Sequence, residues 1–235
     1  MASYTKLMGA AILLTVLAIL TITAASGQEW WAVEHSQRTV GNPWTTVRSL
    51  WLYDDGFLFQ GVGGSTTYEK YYALSSSSPY DLFNNEGTLR ILWIGAGLFF
   101  ICSMLWDLRL LGLLMGGAAV VLGALSIVVF ALGIGNAVAG SDLAGLVGIE
   151  DAGFFGVDHY ELPDGADTVM HDVSYAPSIG FWLVVIALSL QLMAVSIRTF
   201  VVRESVVMDR ASRTMGKGEK PERAEGSRDE TVEKR

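Results

Sequence analysis

With 51% of its 235 residues hydrophobic and 17% charged, the chain has a mean hydropathy of +0.40. Its apolar residues are bunched in long runs rather than spread at helical or strand period, which excludes an ordinary soluble domain and points to a membrane. The net charge of −8, with basic residues gathered in a mixed-charge tail, excludes a nucleic-acid-binding face, and the single cysteine, Cys102, excludes an intrachain disulfide.

The first apolar run spans Leu7 to Ala25. Nineteen residues at about 1.5 Å each reach roughly 28 Å, close to the hydrocarbon thickness of a bilayer. Lys6 and the small residues Ala24, Ala25 and Ser26 also fit a cleaved signal peptide, but the run exceeds the usual 7 to 15 residues of such a core, so a retained span of about 7–26 is preferred. A polar, aromatic segment follows, from Trp30 to Arg90, carrying four of the seven tryptophans. Further spans are expected at about 89–106, 110–135 and 179–202, the last started by Pro177. Asp107, Leu108 and Arg109 leave room only for a tight turn, so the second and third spans are antiparallel neighbours.

Lys and Arg set the orientation. The loop 136–178 holds eight acidic residues and no Lys or Arg, whereas residues 198–235 hold ten Lys or Arg and eight acids. The first loop, 27–88, has three basic residues against seven acidic ones. Both loops are therefore expected outside and both termini in the cytoplasm, in a multi-pass protein of the cell membrane. The domain organisation is a four-span unit, 1–203, and a charged, largely disordered tail, 204–235. No Asp, Glu, Lys, Arg or His occupies the middle of any of these spans. Since ion pathways and intramembrane catalytic sites are built on such residues, transport or chemistry within the bilayer is not expected. In the third span, Gly112 and Gly116 have the spacing that lets helices approach closely, most simply within the bundle.

In the first loop, Trp30 to Gln37, Trp44 to Tyr53, Phe57 to Val62 and Thr66 to Leu74 are rich in aromatic and β-branched residues. Gly41-Asn42-Pro43, Asp54-Asp55-Gly56 and Gly63-Gly64 punctuate them, so a small antiparallel sheet is predicted. Pro79 to Leu89 reads as a short helix or turn leading into the second span, with Arg90 free to snorkel toward the interface. Trp31 and Trp51 are expected to pack at the base of the sheet, and Phe57, Phe59, Tyr68 and Tyr72 to supply outward-facing, partner-binding aromatics.

Trp30 or Trp31 early in a large first loop, the tripeptide Ser49-Leu50-Trp51 about twenty residues on, Arg90 at the start of the second span and Gly180-Phe181-Trp182 at the start of the fourth together resemble the claudins and their relatives, the peripheral myelin proteins and calcium-channel gamma subunits. That resemblance implies a four-helix transmembrane bundle with an extracellular antiparallel β-sheet and a non-catalytic role as scaffold or accessory subunit. The implied partners are the lipid bilayer and either a second copy or another integral membrane protein. The family's two loop cysteines, which form a disulfide across the sheet, are missing; Asp54 and glycine-rich sequence stand there.

An alternative lies in the second loop, where Asp158, His159, Glu161, Asp164, Asp167, His171 and Asp172 crowd together. Oxygen ligands there could hold calcium, or His159 and His171 with Asp158 or Asp172 could hold zinc, making the chain a subunit of a membrane enzyme or transporter. The window lacks EF-hand order and any His-Glu-x-x-His pattern, so a solvated acidic loop with no metal or cofactor is the preferred reading. No nucleophile–base pairing or phosphate loop appears, and a non-enzymatic protein is expected.

Overall fold

The structure, a computed structural model, describes residues 2–39, 41–149, 153–164 and 167–216. In chain order these form α1 (Ala2–Ala25), β1 (Trp31–Thr39), β2 (Thr45–Leu52), β3 (Gly56–Gln60), β4 (Thr66–Lys70), a 3₁₀ turn (Tyr71–Ala73), α2 (Ser78–Leu105), α3 (Arg109–Ala139), α4 (Leu143–Val147), β5 (Gly156–Asp164), β6 (Asp167–Pro177) and α5 (Ile179–Gly216). Four of the helices, α1, α2, α3 and α5, are long and apolar enough to cross a membrane. The helix α5 continues past the expected limit of the fourth span to Gly216. The tail beyond Gly216, expected to be disordered, lies outside the described residues.

The helices pack α1 on α5, α5 on α3 and α3 on α2, while α1 and α2 touch only lightly. The turn between α2 and α3 is as tight as Asp107-Leu108-Arg109 required, with Asp107 in the left-handed region at φ 53°, a conformation Asp tolerates. On α3, Gly112, Gly116, Ala119 and Gly123 form a buried face. A Cβ at Gly116 would stand 2.8 Å from Val195 and 2.9 Å from Phe100, so this small-residue row is used for packing α2 and α5 within one chain.

The sheet has six antiparallel strands in the order β4-β3-β2-β1-β6-β5. The four strands expected from the first loop are present, and their register follows from the Asp-Gly and Gly-Gly turns. The second loop corrects the sequence reading. It is not a solvated acidic loop but a hairpin whose inner strand, β6, pairs with β1 along nine consecutive residues. Alternation along β6 puts Val173 and Tyr175 on the same face as Val33 and Trp31, and burial of that face outweighs the charge of Asp158, Glu161 and Asp172 in the hairpin.

Strand register sorts the aromatics. Trp31, Leu52 and Phe57 lie in one cross-strand row and Val33, Leu50 and Phe59 in the next, and this face joins the core of the bundle. Trp51, in a row with Ala32, Leu58 and Ala176, lies on the opposite face and is half-buried. The expectation that Trp51 packs at the base is therefore corrected. Leu50 and Leu52 point inward, and the two-residue strand period turns Trp51 outward. Trp30 and Trp31 are both buried because Trp30 precedes the strand: its indole donates to the Ala25 carbonyl (3.1 Å), and its backbone N–H bonds Leu52 while its carbonyl accepts from Ser178. A Cβ at Gly180 would meet the Trp30 ring at 2.8 Å, so only glycine lets the start of α5 approach the start of β1 this closely.

Candidate functional site

Two constellations occupy the sheet end of the molecule. The first is an ion cluster under the β2–β3 turn. The helix α2 begins at Ser78, not near Leu89, so Pro79 to Leu89 forms its first turns and carries Glu86 into the protein interior. Glu86 and Arg90 are four residues apart on one face, and Arg90 Nε meets Glu86 Oε2 at 2.5 Å. Arg90 Nη2 reaches Asp54 Oδ2 at 2.8 Å, Nη1 donates to Ser26 Oγ at 2.7 Å, and the guanidinium carbon lies 4.5 Å from the centre of the Trp30 ring. Ser126 of α3 donates to Glu86 Oε1. Arg90 is 5% exposed and Glu86 fully buried, so Arg90 does not snorkel to solvent as the sequence suggested; its charge is satisfied inside.

Asp54, which stands where the family resemblance leads one to expect a cysteine, is thus tied to α2 by an ion pair. Burial raises the Asp54 pKa and Arg90 pulls it back down. Beside the cluster runs an aromatic column. Phe57 stacks on Tyr71 and Tyr71 on Phe83, with ring centres 6.2 and 5.4 Å apart, and Trp30 and Phe130 continue it at 5.1 Å. The Tyr71 hydroxyl donates to the Tyr53 carbonyl at 2.7 Å, and burial pushes the phenol pKa well up. Helix, sheet and turn are locked together without a disulfide.

The second constellation is the outward face of the sheet. Trp51 lines a groove of about 190 Å³ walled by Ala32, Val33, Glu34, Ser49, Ser174, Tyr175 and Ala176, four of them alanine or serine. A large ring standing among alanines and serines leaves apolar area uncovered, the arrangement of a binding anchor. The edge strand β4 is exposed along Thr66 to Glu69, with Tyr68 47% exposed. Tyr68 donates to Asp55, which also pairs with Lys70 and has its pKa lowered by both contacts. Tyr72 projects fully at the end of this edge.

The sequence-derived site residues therefore separate. Trp30, Trp31, Leu50 and Arg90 join the core, while Trp51 does not. Tyr68 and Tyr72 are exposed as expected. Phe57 and Phe59 are a correction: pairing with Leu52 and Leu50 turns both inward, and Phe57 is 2% exposed. The zinc alternative is also corrected. His159 pairs with Asp172 on one face of the hairpin (Nδ1 to Oδ1, 3.1 Å), and His171 pairs with Tyr160 on the other, so the two histidines cannot share an ion. Asp158 occupies the row of Val173, away from Asp172. Among the described residues no three His, Cys, Asp or Glu side chains converge.

His171 instead faces His35, which the sequence reading did not single out. His35 Nε2 lies 2.9 Å from His171 Nδ1, and Tyr160 stacks on His171 with ring centres 4.8 Å apart. Burial, then His171 and Arg48, hold the His35 pKa below its usual 6.5. Arg48 donates to the Leu146 carbonyl at 3.0 Å, fixing α4 over this pair, and both oxygens of Asp142 accept from Ser75. Glu86 was also missed; its four-residue spacing from Arg90 was the one signal available for it. The chain matches no family model, and none of the curated proteins matches it.

Proposed function

We propose that this is a non-catalytic, four-span protein of the cell membrane, with both termini in the cytoplasm, whose external sheet associates with a second copy or with another integral membrane protein. The carrying observation is Trp51, half-buried among small residues on the outward face of a sheet whose other face is consumed by the core. Supporting the membrane reading, large apolar residues such as Leu13, Ile91, Phe99, Leu114 and Leu132 are exposed along the helices, and Trp106 and Trp182 stand exposed at opposite ends of the bundle, where interfacial aromatics belong. A claudin-like scaffold or accessory subunit fits a four-helix bundle capped by a sheet drawn from both loops. A non-catalytic role is supported by the carboxylates of Asp54 and Glu86 being held by Arg90, and by the hairpin histidines lying on opposite faces.

The test combines topology and association. In a Cys102→Ala background, a cysteine at Ser65 should react with an impermeant thiol reagent on intact cells and one at Ser212 should not; labelling at Ser212 in sealed cells would reverse the orientation. After solubilisation in mild detergent, Trp51→Ala combined with Tyr68→Ser should lose the co-purifying partner or the self-association. Asp158→Asn with Asp172→Asn should keep it. The opposite pattern would move the working surface to the acidic hairpin.

A further inference from the structure

The helix bundle is open on one side. Where α1 and α2 diverge beneath the β3–β4 edge, a cleft of about 610 Å³ enters the protein, a volume in the range of small-molecule sites. Its chemistry is layered. At helix level the walls are Ile22, Ile91 and Ile94; at sheet level they are Asp54, Asp55 and Lys70. Arg90 offers this space little, since Glu86, Asp54, Ser26 and Trp30 already occupy it. Asp54 does offer something. Its Oδ2 carries Arg90 and Ser26 bonds the same carboxylate, yet the side chain stays 21% exposed on the cleft wall, so it presents a partly open negative charge there. At the rim Asp55 and Lys70 pair with each other and remain open to a ligand, their side chains 63% and 41% exposed.

We propose that the cleft binds a phospholipid with a primary-ammonium headgroup: one acyl chain lies in the gap between α1 and α2, the ammonium sits on Asp54 and Asp55, and the phosphate on Lys70. The inference rests on the membrane-spanning reading but not on the partner assigned to the sheet. Charge selects the headgroup. Of the charged residues lining the cleft, Asp54 and Asp55 balance Lys70 and Arg90, and Arg90 is already taken up by buried carboxylates, so the open charge matches a zwitterionic headgroup and disfavours an anionic lipid. The rim carboxylate of Asp55, 63% exposed, is the acceptor for the headgroup: a primary ammonium has N–H donors for it and a quaternary one has none.

The experiment uses the full chain in mild detergent with equimolar phosphatidylethanolamine, phosphatidylcholine and phosphatidylglycerol of identical chains, and counts retained lipid by native mass spectrometry. Phosphatidylethanolamine should be retained about fivefold over either competitor. Gly87→Leu should abolish that retention, because Gly87 lines the cleft and a Cβ there meets only Arg90 Nη2, at an ordinary 3.7 Å. Should that variant fail to fold, Ile91→Trp, at a position 71% exposed, fills the same wall. Equal retention of the three lipids, unchanged retention in the blocking variants, or a polypeptide helix occupying the gap instead would overturn the proposal. Recovery of the wild-type chain in the soluble fraction would overturn the membrane reading itself, and loss of sheet-mediated association with lipid selectivity intact would overturn only the proposed partner contact.

Discussion

On the core side of the sheet, Trp31, Leu50, Leu52 and Phe57 are buried to 2% exposure or less, whereas on the outward side Trp51 stands half-open among Ala32, Ser49, Ser174 and Ala176. The same residue types thus do two jobs, separated only by the two-residue period of the strand. Inward aromatics are surrounded by other large side chains and hold the sheet to the helices; the outward tryptophan has Leu58 on one side and small residues on the others, and keeps part of its ring open. Under the proposed function, stability and recognition fall to opposite faces, and substitutions should separate them.

The largest loss is expected from the core side. Arg90→Met leaves Asp54 and Glu86 buried without their cation, which should cost about 3 to 5 kcal/mol and collapse the thermal transition in detergent. Phe57→Ala, which empties a place in the Tyr71–Phe83 column, should cost a similar 3 to 5 kcal/mol at roughly the upper end for aromatic truncation. A fully stable Phe57→Ala protein would break the division between faces. Trp51→Ala should cost only about 1 kcal/mol. It should retain the wild-type thermal transition to within a few degrees while losing association.

The sequence reading found the strands of the first loop because glycine and Asp-Gly turns mark their ends. It mis-sorted their faces. The aromatic content drew Trp51 inward and Phe57 outward, although Leu50 and Leu52 on either side of Trp51 already required the reverse. The hairpin of the second loop was hidden by its acids, yet Val169, His171, Val173 and Tyr175 alternate at strand period. The four long apolar helices were legible from hydropathy alone. What could not be read was the ion cluster, because Asp54, Arg90 and Ser126 come from three separate elements and meet only after the bundle packs.

A smaller effect should sharpen the same contrast through pH. His35 lies on the core side with its pKa held below 6.5, so the unfolded chain takes up a proton at a higher pH than the folded one. The contribution is fully present above about pH 6.5 and is lost as pH falls from there toward the lowered folded value. The thermal transition should therefore drop by a few degrees between pH 7.5 and 5.5, and His35→Gln should flatten that dependence. An unchanged slope in the variant would show that the histidine pair does not report on the fold. The smallest effect belongs to Tyr68→Ser with Tyr72→Ser, exposed edge residues whose loss should leave stability within about 0.5 kcal/mol.

The division of labour is tested most directly by a photo-crosslinking residue placed at Ser174, an exposed position on β6 beside the Trp51 groove, in intact cells. The account requires an adduct with a second copy or with one defined membrane protein, abolished by Trp51→Ala in the same chain. No adduct from Ser174, together with an adduct from His159 at the far edge of the hairpin that persists in Trp51→Ala, would contradict it.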